Sequence, residues 1–496
     1  MKLVRSSILL LALALLMTGC GREPVSEPPV PDTGLDLASA RIDAEVTAGE
    51  IMAASGWEFD PEVPVPDRVS DIDTKCFGHL IDFSREMLAG DVAHYTFLLQ
   101  IGPGEFDRIK VHRVVKERRP FRPIRTRHAI FLQHGDAVGF VKFLYGQAAP
   151  SVPDDHAAAI YLAQHDIDVW GIDQNWVLVP EETADFGFMQ DWGMDNQIEN
   201  LHTGLAVARY TRLFTGNGFR KMHLLGYSSG GWLGFAYLNA EATIPYGHRH
   251  VKGYVNADAL YKYGPDDEAG RQLNCDDAAY FVEERANGVY EWWVGFAEVG
   301  ELALSDPEGD SPIFDGFTNQ EVGLYFGCAG WRDYPLNPWW HYWGGVFDGD
   351  PEDPDTMPID TRFLPKEWSF EFMATAASWQ SNAFFLDYNL ISCDEEDVPW
   401  DDHLAEINVP VLNLGGAGAL APSALHTLGL LGSTDVQHVI VQMLPDDQKF
   451  EDFGHIDIWT ATEAPELVWA PLLDWITSHN GRGVGDDDYP LMVGID

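Results

Sequence analysis

One serine of this sequence stands in a turn that would make it a nucleophile. Ser228 is the centre of the pentapeptide GYSSG at 226–230. A G-x-S-x-G turn between a buried strand and a helix exposes the serine hydroxyl above the sheet, and small flanking residues let strand and helix approach each other. Because the pentapeptide alone arises by chance, its context decides: 222–225 predicts the strand and 232–239 predicts the helix. We therefore predict nucleophilic acyl transfer at Ser228.

A serine hydroxyl becomes a good nucleophile only when a base removes its proton. Among the 17 histidines, His455 stands in the best place for this role. It lies in the motif FGHID at 453–457, about 12 residues after the last predicted strand and just before the closing helix. Gly454 gives the loop the freedom to bring the imidazole over the sheet. We predict that His455 is the general base.

The anion that forms during acyl transfer needs two backbone N–H donors. One donor directly follows the nucleophile, at Ser229. The second is expected after the first parallel strand, where the sequence reads QHGDA at 133–137. Gly135 permits a sharp turn there, which leaves Asp136 or Ala137 as the donor. We predict that these residues and Ser229 frame an oxyanion hole.

The elements that must position these residues alternate along the chain. Strands are predicted at 93–101, 108–115, 129–133, 167–172, 222–225, 251–255, 409–414 and 437–443, and helices at 157–164, 195–215, 232–239 and 466–477. The first two strands are separated by Gly-Pro-Gly, which predicts a hairpin. Strands that alternate with helices predict an α/β fold, in which a mostly parallel sheet is covered by helices on both faces.

The alternation stops between about 262 and 404, where the sequence is rich in Trp, Pro, Gly and acidic residues and has no clean period. We interpret this stretch as an insertion between two strands of one sheet. The predicted organisation is a core at 51–262 and 405–480, a cap insertion at 263–404, a Pro-rich tether at 20–50 and an acidic tail at 481–496. The aromatic residues of the insertion would either line a pocket over Ser228 or form the insertion's own core.

Taken together, these features resemble the α/β-hydrolase superfamily. The resemblance rests on LQHG at 132–135, Asp173 at the end of the next strand, GYSSG at 226–230, VPVL at 409–412 and the late Gly454-His455 pair. It covers about 90–262 and 404–478, and it is strongest with the acid-lipase and lipoprotein-type branch. The resemblance implies a Ser-His-acid triad, an eight-stranded sheet and a helical cap between strands 6 and 7. It implies no substrate.

The third member of the implied triad departs from the superfamily's pattern. In most members the acid follows the VPVL strand, but the loop here, GGAGAL at 415–420, has no carboxylate. The other position used in the superfamily follows the preceding strand, and there we predict Asp258 as the group that orients His455. Asp457 is a competitor, although two residues from His455 it is poorly placed to reach the ring. Two alternatives stay open: a Ser-His dyad, or an Asp258 that is one more surface acid.

The first twenty residues have the features of an export signal. Lys2 and Arg5 precede an apolar run that is too short to span a bilayer, and the run ends in a Thr-Gly-Cys sequence that resembles a bacterial lipobox. Removal of 1–19 would make Cys20 the acylated N-terminus, with an ordinary signal peptide as the alternative. We expect an exported protein of the bacterial cell envelope, either lipid-anchored or secreted. Gly21 carries no inner-membrane retention signal, which favours an outer membrane.

The charge balance and the cysteines exclude several kinds of partner. The chain has 78 Asp and Glu against 31 Lys and Arg, a net charge of −47, so it should repel nucleic acid and anionic membranes. Serine acyl transfer needs no cofactor and no metal. Besides Cys20, four cysteines permit one or two disulfides or free thiols, and their spacing contains no local metal-ligand pattern: Cys76, Cys275, Cys328 and Cys393.

The leading prediction is an esterase- or lipase-like serine hydrolase that cleaves a small-molecule or lipid ester through an acyl-enzyme on Ser228. The first alternative is a catalytically idle envelope lipoprotein that keeps the fold for binding, which the missing acid at 415–420 favours. The second alternative is a peptidase on the same fold. The intact serine turn, the His134-Gly135 pair and His455 favour the enzyme.

Overall fold

The computed structural model describes residues 40–57, 79–333 and 335–479. The predicted signal peptide, the first part of the predicted tether and the acidic tail from residue 480 on lie outside these ranges. Cys20 and Cys76 lie outside them as well. The predicted lipid anchor therefore has no structural counterpart among the described residues.

The last part of the predicted tether is a helix. Helix α1 spans Ala40–Ser55. This stretch contains no proline and is rich in alanine, the best helix former, so the tether-like composition ends before it. Ala48, Ile51 and Met52 are buried in the main apolar cluster. The helix therefore belongs to the folded body rather than to a spacer.

Nine strands form the main sheet: β1 (His79–Met87), β2 (Val92–Gln100), β3 (Arg108–Arg119), β4 (Ala129–Gln133), β5 (Asp168–Asp173), β6 (Met222–Tyr227), β7 (Val251–Ala257), β8 (Val411–Gly416) and β9 (Val436–Val441). Their order across the sheet is β1-β2-β3-β5-β4-β6-β7-β8-β9, and a two-residue strand, Arg122–Pro123, pairs with β3. The pairs β1–β2, β2–β3 and β3–β5 are antiparallel. The pairs β5–β4, β4–β6, β6–β7, β7–β8 and β8–β9 are parallel. The prediction of a mostly parallel sheet is confirmed. Among the described residues the sheet has two strands more than the eight expected, namely β1 and the two-residue strand.

The longer of the two additional strands is β1, which lies at the edge of the sheet. Every residue of β4, β5 and β6 is buried, and most residues of each strand are apolar, which is the pattern that predicts these strands. In β1, by contrast, no residue is fully buried. Its sequence, HLIDFSREM, alternates weakly and carries charges, which is why its pattern did not predict a strand.

Helices of seven residues or more lie at α2 (Ala158–Gln164), α3 (Met194–Phe214), α4 (Ser229–Ala242), α5 (Glu268–Ala286), α6 (Phe296–Ser305), α7 (Asn319–Cys328), α8 (Lys366–Met373), α9 (Asn382–Cys393) and α10 (Ala470–Ser478). Shorter helical segments lie at Phe140–Leu144, Tyr145–Ala148, Asn175–Leu178, Gly187–Met189, Tyr246–His248, Gly330–Arg332, Leu404–Glu406, Leu425–Gly429, Asp446–Glu451, Asp457–Thr460 and Pro465–Trp469. Within the described ranges, no helix combines the length and the apolar character that crossing a bilayer would need.

The sheet separates two apolar clusters. Phe131 of β4 packs in the cluster formed with α1, α3 and α4, whereas its neighbours Ile130 and Leu132 pack in the cluster formed with α2 and α10. Successive side chains of a strand point to opposite faces, so this alternation shows that helices cover the sheet on both sides. The layered α/β arrangement predicted from the sequence is confirmed.

The segment between β7 and β8 contains helices α5 to α9, and its apolar residues form a cluster that also includes Val138, Tyr145 and Ile456 of the core. Two small hairpins belong to the segment: Glu291–Trp293 with Trp379–Ser381, and Gly345–Phe347 with Pro358–Thr361. Trp343 is fully buried in this cluster together with Phe370 and Phe372. A disulfide joins Cys275 of α5 to Cys393 at the end of α9, and Cys328 is a buried free thiol.

A buried ion pair connects the antiparallel part of the sheet to the parallel part. Arg113 on β3 makes two hydrogen bonds to Asp168 on β5, at 2.8 and 2.9 Å, and Arg212 of α3 bonds the same carboxylate. All three side chains are at most 1% exposed. Burial alone would raise the pKa of Asp168, but the two guanidinium groups outweigh burial and lower it. The Cζ atom of Arg113 also lies 4.9 Å from the ring centroid of Trp57 and 4.9 Å from that of Trp170. These cation–π contacts anchor Trp57, which follows α1.

Substitution of the buried carboxylate should destabilise the fold strongly. Asp168→Asn leaves two buried guanidinium groups without their counter-charge, which should lower the free energy of unfolding by about 3–5 kcal/mol. Asp166→Asn is a matched control, because Asp166 pairs with Lys116 at 2.8 Å through a carboxylate that is 67% exposed. Its loss should stay below about 1 kcal/mol. Denaturant unfolding measures both, and equal losses would contradict the role given to the buried pair.

Candidate active site

The predicted site residues gather at one edge of the sheet. Ser228 follows β6, Asp258 follows β7, Gly135 follows β4, and His455 lies in the loop between β9 and α10. The carboxyl ends of neighbouring parallel strands meet at the same edge, so the loops after them adjoin. Ligands of open α/β sheets bind at this edge.

Ser228 occupies a strained turn between β6 and α4. Its backbone has φ 57° and ψ −129°, a conformation that costs a non-glycine residue about 1–3 kcal/mol. The turn is tight because a Cβ at Gly226 would lie 2.2 Å from the Gly230 carbonyl oxygen, and a Cβ at Gly230 would lie 2.2 Å from the His134 carbonyl oxygen. Both positions therefore require glycine, and the serine between them is held in one conformation while it stays partly exposed.

His455 and Asp258 are in direct contact. His455 Nδ1 lies 2.5 Å from Asp258 Oδ2, with the carboxylate fully buried and the imidazole 4% exposed. Asp258 also accepts hydrogen bonds from the N–H groups of Leu420 at 3.2 Å and Ala421 at 2.8 Å. Because a carboxylate only accepts, the proton of the pair lies on Nδ1, which leaves Nε2 as the basic nitrogen. Asp258 is therefore buried and bonded, not a surface acid.

The segment at 415–420, which has no carboxylate, leaves space for the side chain of Asp258. A Cβ at Gly415 would lie 2.2 Å from Asp258 Oδ1, so no side chain fits there without moving the acid. The same loop donates the N–H groups of Leu420 and Ala421 to the carboxylate. Asp258 itself has φ 51°, a second strained position beside Ser228. The acid-free loop and the position of Asp258 thus belong together.

Asp457, the competing acid, bonds to backbone groups. Its Oδ2 accepts hydrogen bonds from the N–H groups of Gly454 at 2.7 Å and Gly344 at 2.8 Å. Burial raises its pKa to about 7. Asp457 therefore joins the loop of His455 to the insertion, and the structure gives the contact with the imidazole to Asp258.

Aromatic rings enclose the imidazole of His455. Tyr227 stacks on it with 4.8 Å between ring centroids and 23° between planes, and its hydroxyl donates to the His455 carbonyl oxygen at 3.2 Å. Trp340 and Tyr342 of the insertion lie 5.8 and 6.2 Å away, measured between centroids. Some aromatic residues of the insertion pack with one another, as Trp343 does with Phe296. Trp340 and Tyr342 lie beside the imidazole, and an aromatic pocket over Ser228 stays a prediction.

The loop after β4 lies against the nucleophile. A Cβ at Gly135 would lie 2.5 Å from the Ser228 Cβ, so only glycine fits. Ala137 has φ 62°, and its carbonyl oxygen accepts a hydrogen bond from the Ala377 N–H at 2.6 Å. Within the part of the chain that the structure describes, the N–H groups of Ala137 and Ser229 have no acceptor. Both are therefore available to an oxyanion.

Asp136, between these residues, directs its side chain into the insertion. Its Oδ1 accepts a hydrogen bond from Gln380 Nε2 at 3.1 Å. Burial raises its pKa, against the opposing effect of hydrogen bonds from Ser229 and Gln380.

Two further residues hold this loop, and the sequence analysis gave them no separate role. Asp173 Oδ1 accepts a hydrogen bond from the Phe140 N–H at 2.6 Å. The neutral ring of His134 donates from Nδ1 to the Gly135 carbonyl oxygen at 2.8 Å and accepts at Nε2 from the Gln174 N–H at 3.1 Å. Burial lowers the pKa of His134 to about 4, which keeps the ring neutral. Both residues were among the positions that carried the superfamily resemblance, and that was the available signal.

A buried lysine that was not predicted from the sequence lies beside the site. Lys142, in the helical turn Phe140–Leu144, is 2% exposed, and its Nζ lies 4.4 Å from the centroid of the Tyr227 ring. Burial lowers the pKa of Lys142 to about 7, while Asp136 acts in the opposite direction. A single lysine within the otherwise apolar run VGFVKFL was the signal that could have revealed it.

The described residues contain one group of side chains with metal-ligand geometry. It consists of Cys275, Cys393 and Glu395. The two cysteines form the disulfide, so their sulfur atoms are not thiolate ligands. This group is therefore a covalent crosslink and not a metal centre.

No family model and no curated protein sequence matches this chain. Solved structures match it. A candidate lipase from Sulfolobus solfataricus has a TM-score of 0.52 at 16% identity, over 80% of this chain and 99% of that one. A soluble variant of monoglyceride lipase from Saccharomyces cerevisiae has a TM-score of 0.41 at 11% identity, over 84% and 99% of the two chains. A proline iminopeptidase from Mycobacterium smegmatis has a TM-score of 0.34 at 12% identity, over 80% and 99%.

The similarity to the Sulfolobus protein establishes the fold. The TM-score of 0.52 is reached over 80% of this chain and 99% of that one. This chain therefore has the α/β-hydrolase fold, as the sequence predicted. At this level of identity the likeness defines the architecture alone, and the chemistry must be argued from the site.

Replacement of the buried lysine should stabilise the protein in a pH-dependent way. The folded pKa of about 7 lies below the ordinary value of about 10.4, so between these values the unfolded chain holds the extra proton and wild-type stability rises with pH. Lys142→Met should therefore be more stable than wild type at about pH 6, and the difference should shrink toward about pH 10. Thermal unfolding of both proteins measures it. A difference that stays constant with pH would contradict a buried, shifted amine.

Proposed function

We propose that this protein is a serine hydrolase that cleaves an ester through an acyl-enzyme on Ser228. The observation that carries the proposal is the buried hydrogen bond between His455 and Asp258, at the edge of the sheet where the strained serine turn lies. A carboxylate that fixes an imidazole beside a serine is the arrangement that activates a hydroxyl group.

In the proposed reaction, Ser228 Oγ attacks the carbonyl carbon of the ester while His455 Nε2 takes its proton. Asp258 orients the Nδ1–H group and stabilises the imidazolium that forms. The N–H groups of Ser229 and Ala137 donate to the oxyanion, with the N–H of Asp136 as the alternative to Ala137. The tetrahedral intermediate then collapses, and the alcohol leaves with the proton from His455. Water attacks the acyl-enzyme by the same route and releases the carboxylic acid.

We propose a small-molecule or lipid ester as the substrate. The rings of Tyr227, Trp340 and Tyr342 give the surroundings of the base an apolar wall, which suits an apolar acyl or alcohol group. The Sulfolobus protein with this fold is itself described as a candidate lipase. The proposed reaction uses neither a cofactor nor a metal.

We further propose that the protein is exported and held at a bacterial membrane through an acylated Cys20. The apolar run and the Thr-Gly-Cys sequence before residue 21 support this proposal. The disulfide between Cys275 and Cys393 supports export independently, because disulfides persist in oxidising compartments.

A fluorophosphonate probe should label Ser228 in the folded protein. The strained turn presents the hydroxyl, and the imidazole held by Asp258 would activate it, so one adduct is expected and intact-mass or peptide mass spectrometry locates it. Ser228→Ala should lose the label and lower turnover of p-nitrophenyl esters by about 10⁴-fold or more. Ser151→Ala, at an exposed serine bonded to Glu371, is the control and should leave both unchanged. Folded wild-type protein without an adduct would exclude the enzyme and favour the binding protein.

The acid should be identifiable by two independent substitutions. Asp258→Asn should lower kcat by about 10⁴-fold with little change in KM, because the ring loses its oriented tautomer. Gly415→Ala should also lower kcat, since the new Cβ would lie 2.2 Å from Asp258 Oδ1. Gly429→Ala is the control, because a Cβ there meets nothing within 4 Å. Wild-type turnover in both Asp258→Asn and Gly415→Ala would reject Asp258 as the triad acid.

A further inference from the structure

The loop that carries His455 is paired with a segment of the insertion. We call 452–457 the base loop and 341–344 the brace. The His455 N–H donates to the His341 carbonyl oxygen at 2.9 Å, and the Ile456 N–H donates to the Tyr342 carbonyl oxygen at 2.7 Å. Two consecutive bonds of this kind form a short ladder between segments that are distant in sequence. The backbone on either side of the imidazole is therefore bonded to the insertion.

Two buried side chains extend the ladder in both directions. His341 is fully buried, and its Nε2 lies 2.7 Å from the Asp452 carbonyl oxygen. Asp457, also fully buried, accepts at Oδ2 from the Gly344 N–H at 2.8 Å and from the Gly454 N–H at 2.7 Å. One carboxylate oxygen thus joins the brace to the base loop at the residue before His455.

The brace and the base loop approach so closely that facing positions must be glycine. A Cβ at Gly454 would lie 2.6 Å from the Tyr342 carbonyl oxygen, and a Cβ at Gly344 would lie 2.7 Å from the Asp452 carbonyl oxygen. On its other side, the base loop meets the end of β8, where a Cβ at Gly416 would lie 2.0 Å from a base-loop carbonyl oxygen. The base loop is therefore clamped between the insertion and the sheet.

We infer that the brace positions the catalytic base, with His341 and Asp457 as positioning residues for the reaction proposed above. The inference rests on that proposed function and assigns the insertion a part in catalysis besides enclosing the site. Displacement of a reacting group by about 1 Å lowers rates by about 10²-fold. A base loop released from the brace would shift the imidazole relative to both Asp258 and Ser228.

The brace also limits how the insertion can move. The segment is bonded to the base loop at both of its ends, through His341 and through Gly344. A movement that lifted this segment would take the base loop with it or break these bonds. A movement of the insertion that keeps the imidazole in position must therefore leave the brace in place.

Asp457→Ala tests the inference, because it removes the acceptor of two N–H groups and touches no substrate. We expect kcat on a p-nitrophenyl ester to fall about tenfold or more while KM stays within about twofold. Backbone hydrogen exchange of 453–458, measured by mass spectrometry without substrate, should rise about tenfold or more. Asp457→Asn keeps an oxygen that can accept in the same place, and it should restore kcat to within about threefold of wild type.

Ser392→Ala is the matched control. Ser392 Oγ donates to the Tyr261 carbonyl oxygen at 2.9 Å, a buried bond that also links the insertion to the core but involves neither the brace nor the base loop. Its loss should lower Tm and leave kcat unchanged. If Asp457→Ala does not fold, His341→Phe keeps a ring in the same place, loses the bond to Asp452 and is measured in the same way.

Three results would overturn the inference. Exchange of 453–458 that stays at the wild-type level would show that the brace does not hold the base loop. Exchange that rises while kcat stays within about twofold would show that the restraint is irrelevant to the base. A rise in KM with unchanged kcat would show that the brace acts in substrate binding and not in positioning the base. Failure of wild-type protein to label at Ser228 would instead refute the proposed function, and the exchange result would then decide alone whether the brace holds the loop.

Discussion

A buried carboxylate must be surrounded by hydrogen-bond donors, and this constraint shapes the whole site around Asp258. Removal of a charged group from water is expensive unless donors replace the water. Here the donors are the imidazole of His455 and the N–H groups of Leu420 and Ala421. The loop that gives those two N–H groups also leaves a space at Gly415 that the carboxylate fills. The acid, its loop and the imidazole are therefore one arrangement, in which no part can change alone.

The same constraint explains why residues with strained backbone conformations lie at this edge of the sheet. Ser228 and Asp258 end neighbouring strands, and both have positive φ although neither is glycine. Each such residue costs folding free energy that the packing of a large core can offset. These strained turns hold the Ser228 hydroxyl and the Asp258 carboxylate in positions that relaxed turns would not give them. The insertion contributes to the same arrangement, because its contacts restrain the loop that carries the third group, His455.

The sequence predicted what depends on local pattern. The interior strands β4, β5 and β6 are buried throughout and mostly apolar, so their positions followed within a few residues, and the serine turn followed from the elements on either side of it. Edge strand β1 lacks such a pattern and was missed. For the site, the order of motifs was enough to select Ser228, His455 and Asp258 as candidates.

The remainder of the site could not be predicted because it depends on contacts between distant segments. Nothing near His341 in the sequence shows that its carbonyl oxygen receives the N–H of His455. The donors to Asp258 come from residues that carry no side-chain signal at all, Leu420 and Ala421. Lys142 differs, since an unpaired cation in an apolar run is visible in the sequence, but its depth and its contact with Tyr227 are set by the tertiary packing.

The disulfide has a topological consequence for the insertion. Cys275 lies in the first helix of the insertion and Cys393 ends its last, at a sequence separation of 118, so the segment between them is a covalently closed ring. A protease that cut the chain once inside this ring would leave the two fragments joined. The nicked molecule would therefore remain a single particle, and separation of its halves would require a reductant as well as a cut.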